Sequence, residues 1–509
     1  MIVSLYGLAF LAAAISCTFS YFVYEYFRDE KGLRRYPGMN WLAPFTNLAF
    51  MIESRQGFRS KTLQELHSQG KPVIRTGPTS LSYGDVRAIK EIYGHSSKCT
   101  KDEQYSVLSG SHTHLADVTD GHEHARKRKV LSSAYALKNL EDWEFKVAET
   151  TGRMIRQFDK HTSGEILDFR PWANFFALDA ISYIGLSSPL GFLDAGNDKC
   201  VSARFDGSSK MVNYRECLYG TSTAQSELAW SYPWYQNLVT LSKMISPRYR
   251  NLWNLNKDWD GIYLHLTNQR LARYLKGEEL DDFFEALMHD KNGVPHNLDF
   301  GEILAEISIM MNAGSTTTAI ALANVLYQLL INPECLARLR EEVDAVLDED
   351  DVVAPYDKVK YLPYLKACLD ESLRVYPPTS HGLPRMTPSE GANILGDYVP
   401  PGVTVSMSAY VVHRDPTIFP NPETYNPERW LGEEGKELGP YFVAFSQGSR
   451  GCIGKQITYL EQTVALATIV HRYDIELADP SFVPERRETF NLHPNKLPIR
   501  LKLRKTSGD

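Results

Sequence analysis

The stretch Phe445-Ser446-Gln447-Gly448-Ser449-Arg450-Gly451-Cys452-Ile453-Gly454 decides how the rest of the chain is read. It sets one cysteine in a loop bent by glycines. Gly448 permits a backbone turn that a residue with a Cβ resists, and Gly454 keeps bulk away where the chain passes beneath a flat macrocycle. Beyond it Ile457, Leu460, Val464 and Ala467 recur at helical spacing. Cys452 is therefore expected at a helix N-terminus, where the dipole favours an ionised sulfur. A thiolate held this way is suited to sit axial to haem iron and to push electron density onto it, which favours O–O cleavage. Phe445 is placed to shield the sulfur and Arg450 to pair with a haem propionate. The competing reading is an inert buried thiol, and it weakens as further motifs accumulate.

The decapeptide resembles the haem-binding loop of the cytochrome P450 family at its Phe, Gly, Arg, Cys and Gly positions: Phe445, Gly448, Arg450, Cys452 and Gly454. The resemblance covers essentially everything after residue 36. It implies a mainly α-helical fold with small β-sheets, haem b as cofactor with Cys452 as the axial iron ligand, and a haem-thiolate monooxygenase. Such enzymes reduce dioxygen with two electrons from NADPH and return a hydroxyl to a C–H carbon, the haem carrying the chemistry.

Bulk properties agree. The chain has 509 residues, 43% hydrophobic and 23% charged, enough for a large core. No Gly/Ser-rich linker, low-complexity tract or repeat divides it, so one catalytic domain, 46–509, is expected behind an N-terminal extension. A net charge of −7 argues against nucleic acid as partner. The seven cysteines, Cys17, Cys99, Cys200, Cys217, Cys335, Cys368 and Cys452, form no CxxC pair. They read as reduced thiols in a cytosolic setting, and zinc is not expected. From Met1 to Tyr24 there is no charged residue, so residues 1–27 are read as a transmembrane anchor rather than a cleaved signal peptide. Arg28, Lys31, Arg34 and Arg35 follow it and keep the catalytic domain cytosolic, as in a single-pass protein of the endoplasmic reticulum. Residues 28–45, with Tyr36-Pro37-Gly38 and Pro44, form a stiff hinge.

Other constellations follow in chain order. Asp120-Gly121-His122-Glu123-His124-Ala125-Arg126-Lys127-Arg128-Lys129 opens a helix with His124 and Arg128 on one face, two donors suited to a carboxylate. The family resemblance assigns both to haem propionates. Lys127 and Lys129 are expected to point elsewhere, in a positive patch that steers an acidic electron donor.

Residues 301–332 carry an apolar helical run broken by Asn312-Ala313-Gly314-Ser315-Thr316-Thr317-Thr318. Gly and back-bonding hydroxyls there weaken and bend a helix. The stretch is similar to the family's oxygen-binding groove, with Ala313 and Gly314 against the cofactor and Thr317 where a hydroxyl helps protonate bound peroxide. Thr316 stands where the family most often has an acid, so the proton route must use hydroxyls and water. Further on, Glu371-Ser372-Leu373-Arg374 and Pro427-Glu428-Arg429-Trp430 match a family trio of one Glu and two Arg. It assigns Glu371, Arg374 and Arg429 a structural role beneath the haem, and Arg385 takes the position of another propionate donor.

The resemblance also implies a separate NADPH-cytochrome reductase, with cytochrome b5 as a further donor. By analogy the pocket draws on Tyr105, Val107, Leu108, His112 and Leu115, on Ile309 and Met310, on Thr379 to Leu383 and on Phe490. These are mostly apolar and predict a small to medium hydrophobic substrate. The segments around Tyr93-Gly94-His95, Glu123 to Lys129 and Gly382 to Arg385 most resemble fungal microsomal members, benzoate para-hydroxylases and secondary-metabolite tailoring enzymes. No carboxylate partner for an aromatic acid is evident, which favours natural-product tailoring over hydroxylation of benzoate. A third reading is a relative that isomerises or dehydrates its substrate without dioxygen, and a fourth is a membrane haem protein that only binds ligands.

Overall fold

The apolar run expected over 301–332 becomes the helix Phe300–Ile331, which starts where the Asp299 carboxylate accepts the Glu302 N–H at 2.9 Å. Asn332-Pro333 ends it. This central helix is the spine of the computed structural model, which describes residues 13, 16–18 and 20–504 apart from 133, 136–140 and 233. Helices Phe169–Leu186, Pro247–Leu275, Pro363–Val375 and Lys455–Arg472 pack directly on it. The closest approach, to Phe169–Leu186, uses glycine on both sides. A Cβ at Gly314 would lie 2.7 Å from Ile181, and one at Gly185 would overlap the Met310 side chain.

The fold is mainly helical with small sheets, as the sequence reading held. The largest sheet has five strands in the order Val73–Gly77, Ser80–Tyr83, Thr404–Ser406, Arg385–Met386, Thr100–Lys101. Thr404–Ser406 runs parallel to Ser80–Tyr83; the other pairings are antiparallel. In this register Lys101 lies opposite Arg385. Tyr473–Leu477 and Pro498–Leu503 form a second sheet with Leu167–Asp168.

The anchor expected over 1–27 falls largely outside the described residues. Residues 20–28 are helical, with Tyr21, Tyr24 and Phe27 exposed. Among the described residues, Phe300–Ile331 is the helix long and apolar enough to cross a bilayer, and it is a core helix. The segment read as a hinge lies on the large sheet: the Arg75 N–H donates to the Pro37 carbonyl and the Met39 N–H to the Arg75 carbonyl, both at 2.8 Å. Leu33 and Ala43 are buried in that contact.

Candidate active site

The loop from Phe445 is closed by backbone bonds: Ser446 N–H to the Val443 carbonyl at 2.9 Å, Gly451 N–H to Gly448 at 3.1 Å, and Cys452 N–H to Phe445 at 2.9 Å. Gly448 sits at φ +69°, and a Cβ there would overlap the Tyr93 carbonyl oxygen, so both conformation and space require glycine. Ser446 adopts φ +56° without being glycine, a strain on the order of 1–3 kcal/mol. Gly454 differs. Its φ is −84°, and among the described residues an added Cβ would meet only the Tyr135 ring, at 3.8 Å.

Cys452 precedes the helix Lys455–Arg472 by three residues. Burial pushes its thiol up from the ordinary value, while the Gly454 N–H and the charges of Arg128 and Lys455 pull it down. The residue is nonetheless accessible. A sulfur enclosed by protein yet accessible is part of a cavity wall.

The central helix supplies another accessible wall. Ala313 is exposed in a stretch whose neighbours Ser315 and Thr316 are buried. Thr317, one turn on, donates its hydroxyl to the Ala313 carbonyl at 2.7 Å. Ser315 does the same to Met311 at 2.7 Å. The break expected over 312–318 does not occur: the helix is continuous, because the hydroxyls bond back to carbonyls four residues earlier without displacing the ladder. Thr316 is 3% exposed, with its hydroxyl 3.4 Å from Asn312 Oδ1. It belongs to the packed side of the helix, whereas Thr317 lies beside Ala313.

Behind this wall the Thr318 and Thr458 hydroxyls meet at 2.8 Å, and Gln462 Nε2 donates to Thr458 Oγ1 at 3.0 Å. Glu461 is wholly buried beside them, with the Thr318 hydroxyl as its polar neighbour. Burial pushes its carboxyl well above the ordinary value, and the Thr318 hydroxyl offsets part of that rise. The sequence reading missed Glu461, although an acid between Leu460 and Val464 on an apolar helix was a signal.

Cations gather on one side of the cysteine loop. His124 and Arg128 come from Gly121–Ser132, Arg385 and Lys101 from paired strands, and Arg450 from the loop itself. Burial, then Arg450 and Arg128, lower His124 to about 4. Lys101, absent from the sequence reading, falls to about 7 through burial, then Arg385 and Arg450. Arg450 falls to about 10 through burial and then Arg385. Arg128 donates to the Gly451 carbonyl at 3.0 Å, and Arg450 to the Val118 carbonyl at 2.7 Å. Among the described residues no carboxylate lies within ion-pair distance of Lys101, Arg128, Arg385 or Arg450. Lys127 corrects an expectation. It is 3% exposed and paired with Glu302 and Glu306, so it belongs to no surface patch.

Glu371 and Arg374, both wholly buried, pair through two bonds at 2.8 and 2.9 Å. Arg374 spends its other N–H groups on the carbonyls of His413, Pro422 and Thr424. Glu371 also accepts from Arg429 Nε at 3.0 Å, Trp430 Nε1 at 2.9 Å and the Asn426 N–H at 2.9 Å. His413 links this knot to the cysteine loop: its Nε2 accepts the Val443 N–H at 3.0 Å, leaving Nδ1–H to donate to the Arg374 carbonyl at 3.2 Å.

A family model described as Cytochrome P450 matches residues 37–503. The chain belongs to the cytochrome P450 family. It is thereby an oxidoreductase of the monooxygenase type, and the family uses haem held by a cysteine thiolate. Similar proteins include the cytochrome P450 monooxygenase cicH of Emericella nidulans, 30% identical over 97% of this chain and 99% of that one. The cytochrome P450 monooxygenase atr2 of Stereocaulon alpinum is 29% identical over 92% and 90%. Benzoate 4-monooxygenase bphA of Aspergillus niger is 27% identical over 91% and 92%.

The residues of this P450 fit haem. An enclosed, accessible thiol, open space at Gly454 and cations without acidic partners suit an iron porphyrin bearing two carboxylates. The residues expected to line the pocket are dispersed. Val107 and Leu108 pack with Tyr235, Val239 and Trp253 in a satellite core, and Leu115 lies in the main one. His381 meets Phe490 edge-on at 4.9 Å, and the Thr379 hydroxyl donates to Asn491 at 3.0 Å.

Proposed function

We propose that this P450 oxidises a small to medium hydrophobic substrate, using dioxygen and NADPH-derived electrons, in the tailoring of a fungal natural product. The observation that carries the reading is Cys452, whose enclosed sulfur is accessible and receives the Gly454 N–H. In this reading Cys452 would hold the haem iron through its sulfur, the Gly454 N–H would stabilise the negative charge of that sulfur, and Phe445 and Gly448 shape the loop around it. Arg128, Arg385, Arg450 and Lys101 hold the two propionates, with neutral His124 as a hydrogen-bond partner. Haem, once bound, supplies the binding and reductive activation of dioxygen.

The protein supplies the proton. Thr317 presents a hydroxyl on the accessible wall, and its bond to the Ala313 carbonyl fixes where that hydroxyl stands. With Thr316 packed away and carrying no acid, protons reach Thr317 through water. Glu371, Arg374 and Arg429 hold the loop from below and touch no reactant.

Electrons come from a separate NADPH-cytochrome reductase, with cytochrome b5 as a further donor. A membrane position is favoured by the exposed apolar side chains Trp41, Leu48, Ile52, Trp234, Leu241, Met244 and Ile245. Their segments adjoin through the Phe50–Trp230 ring contact at 4.4 Å. Two of the relatives are named as cytochrome P450 monooxygenases, and the third, a benzoate 4-monooxygenase, makes benzoate the second substrate class to screen.

Cys452→Ser tests the reading: the red-shifted Soret band of the reduced carbon monoxide adduct disappears if Cys452 is the ligand. Persistence of that band refutes the assignment. Substrate-dependent consumption of NADPH and dioxygen separates monooxygenation from isomerisation, dehydration or mere binding.

A further inference from the structure

The loop of residues 109–120 is held on two sides. Towards the cysteine loop, Lys101 donates to its Ala116 carbonyl and Arg450 to its Val118, Thr119 and Asp120 carbonyls. Towards the central helix the seat is more specialised. The His112 ring lies so close to Gly301 that a Cβ there would overlap it, and His112 Nε2 stands 3.4 Å from Asp299 Oδ1. Three residues later the Leu115 N–H donates to both Glu306 oxygens, at 3.1 and 3.2 Å. Glu306 is 2% exposed and Lys127, which donates to it at 3.1 Å, is 3% exposed.

A buried ion pair is a costly way to hold one backbone N–H. Apolar residues of similar volume stabilise a contact as well or better, so the pair is better explained by placement than by stability. Glu306 also shares a helical face with Ile309, Ala313 and Thr317, at spacings of three, seven and eleven residues. The loop is thus seated on the same stripe of the helix that ends at the accessible wall.

We propose that Glu306, kept in place by Lys127, is a positioning residue that sets loop 109–120 over the substrate pocket and so governs which bulky apolar ligands reach the haem. The proposal rests on the haem-enzyme reading above. With the Glu306 carboxylate consumed by Lys127 and Leu115, the partly exposed Ile309 is the apolar side chain left on this stripe between Glu306 and Ala313. Removing the carboxylate frees the loop on its central-helix side and leaves its Lys101 and Arg450 anchors on the side of the cysteine loop in place.

The test uses full-length holoenzyme and two iron ligands, imidazole, which needs little room, and phenylimidazole, which must also fit the pocket. Glu306→Ala is expected to weaken phenylimidazole about tenfold, with imidazole affinity and the carbon monoxide signature unchanged. Glu306→Gln, whose amide oxygen still accepts the Leu115 N–H, restores most of that affinity. Gly301→Ala, which displaces His112, is expected to weaken phenylimidazole selectively as well, and it decides the matter if Glu306→Ala fails to incorporate haem. Unchanged phenylimidazole affinity in haem-loaded variants overturns the proposal, as does an equal loss for both azoles. Absence of the thiolate signature in the unmodified enzyme instead defeats the haem reading itself.

Discussion

Two buried glutamates divide the molecule. Glu371, beneath the cysteine loop, is contacted by two guanidiniums, an indole N–H and a backbone N–H. Glu461, beside the central helix, is just as deeply buried, with the Thr318 hydroxyl near it and no cation or backbone N–H among the described residues. The first environment is saturated with donors and rigid, and it serves as scaffold. The second keeps acceptor capacity next to the Thr317 wall, in the form of Glu461 and the unpartnered Gln462 Oε1. Polar groups left unpaired in a core call for water. The contrast separates a donor-saturated knot beneath the cysteine loop from a polar set with spare acceptors beside the central helix.

Removing one side of each arrangement sharpens that contrast. Glu371→Ala leaves Arg374 buried without its carboxylate and is expected to cost about 3–5 kcal/mol, with loss of haem incorporation, read by urea unfolding and pigment content. A cost under about 1 kcal/mol would break the comparison.

His413 is expected to matter less, and in a pH-dependent way. Burial and Arg374 lower it to about 3, and its Nε2 must stay unprotonated to accept the Val443 N–H. Below its ordinary value of 6.5 the unfolded chain takes up a proton that the folded chain refuses. Its contribution is therefore complete above pH 6.5 and lost as the pH falls towards 3. The stability advantage over His413→Asn should shrink by about 1.4 kcal/mol per pH unit in that window.

Glu461→Gln is expected to have the smallest effect on stability, under about 1 kcal/mol, because the amide keeps the shape of the side chain and adds no charge to the core. Its signature lies in the fraction of NADPH converted to product, which should fall if this polar set feeds Thr317.

Much of the site was legible as local pattern. The Phe445–Gly454 loop closes through bonds between neighbours, so Gly448 and Cys452 could be read without knowing the fold. Glu371 and Arg374 share one helical turn, and Arg429 then matched a family position. The helix through Thr317 was read to within a residue at each end. Its supposed break was misread, because composition alone does not say whether hydroxyls replace ladder bonds or merely share carbonyls. Lys127 was misplaced for a related reason. In sequence it belongs to a basic run, while its partners Glu302 and Glu306 lie on another helix.

The sequence by itself determined the cysteine loop and the family, since these depend on residue types at short spacing. Tertiary structure alone decided which cations share one site without a carboxylate at ion-pair distance, adding Lys101 through its register with Arg385. It also decided that Glu461 is buried without a cation beside it and that loop 109–120 is seated on Glu306. Burial and charge compensation depend on groups hundreds of residues apart in the chain, and only the packed molecule brings them within reach.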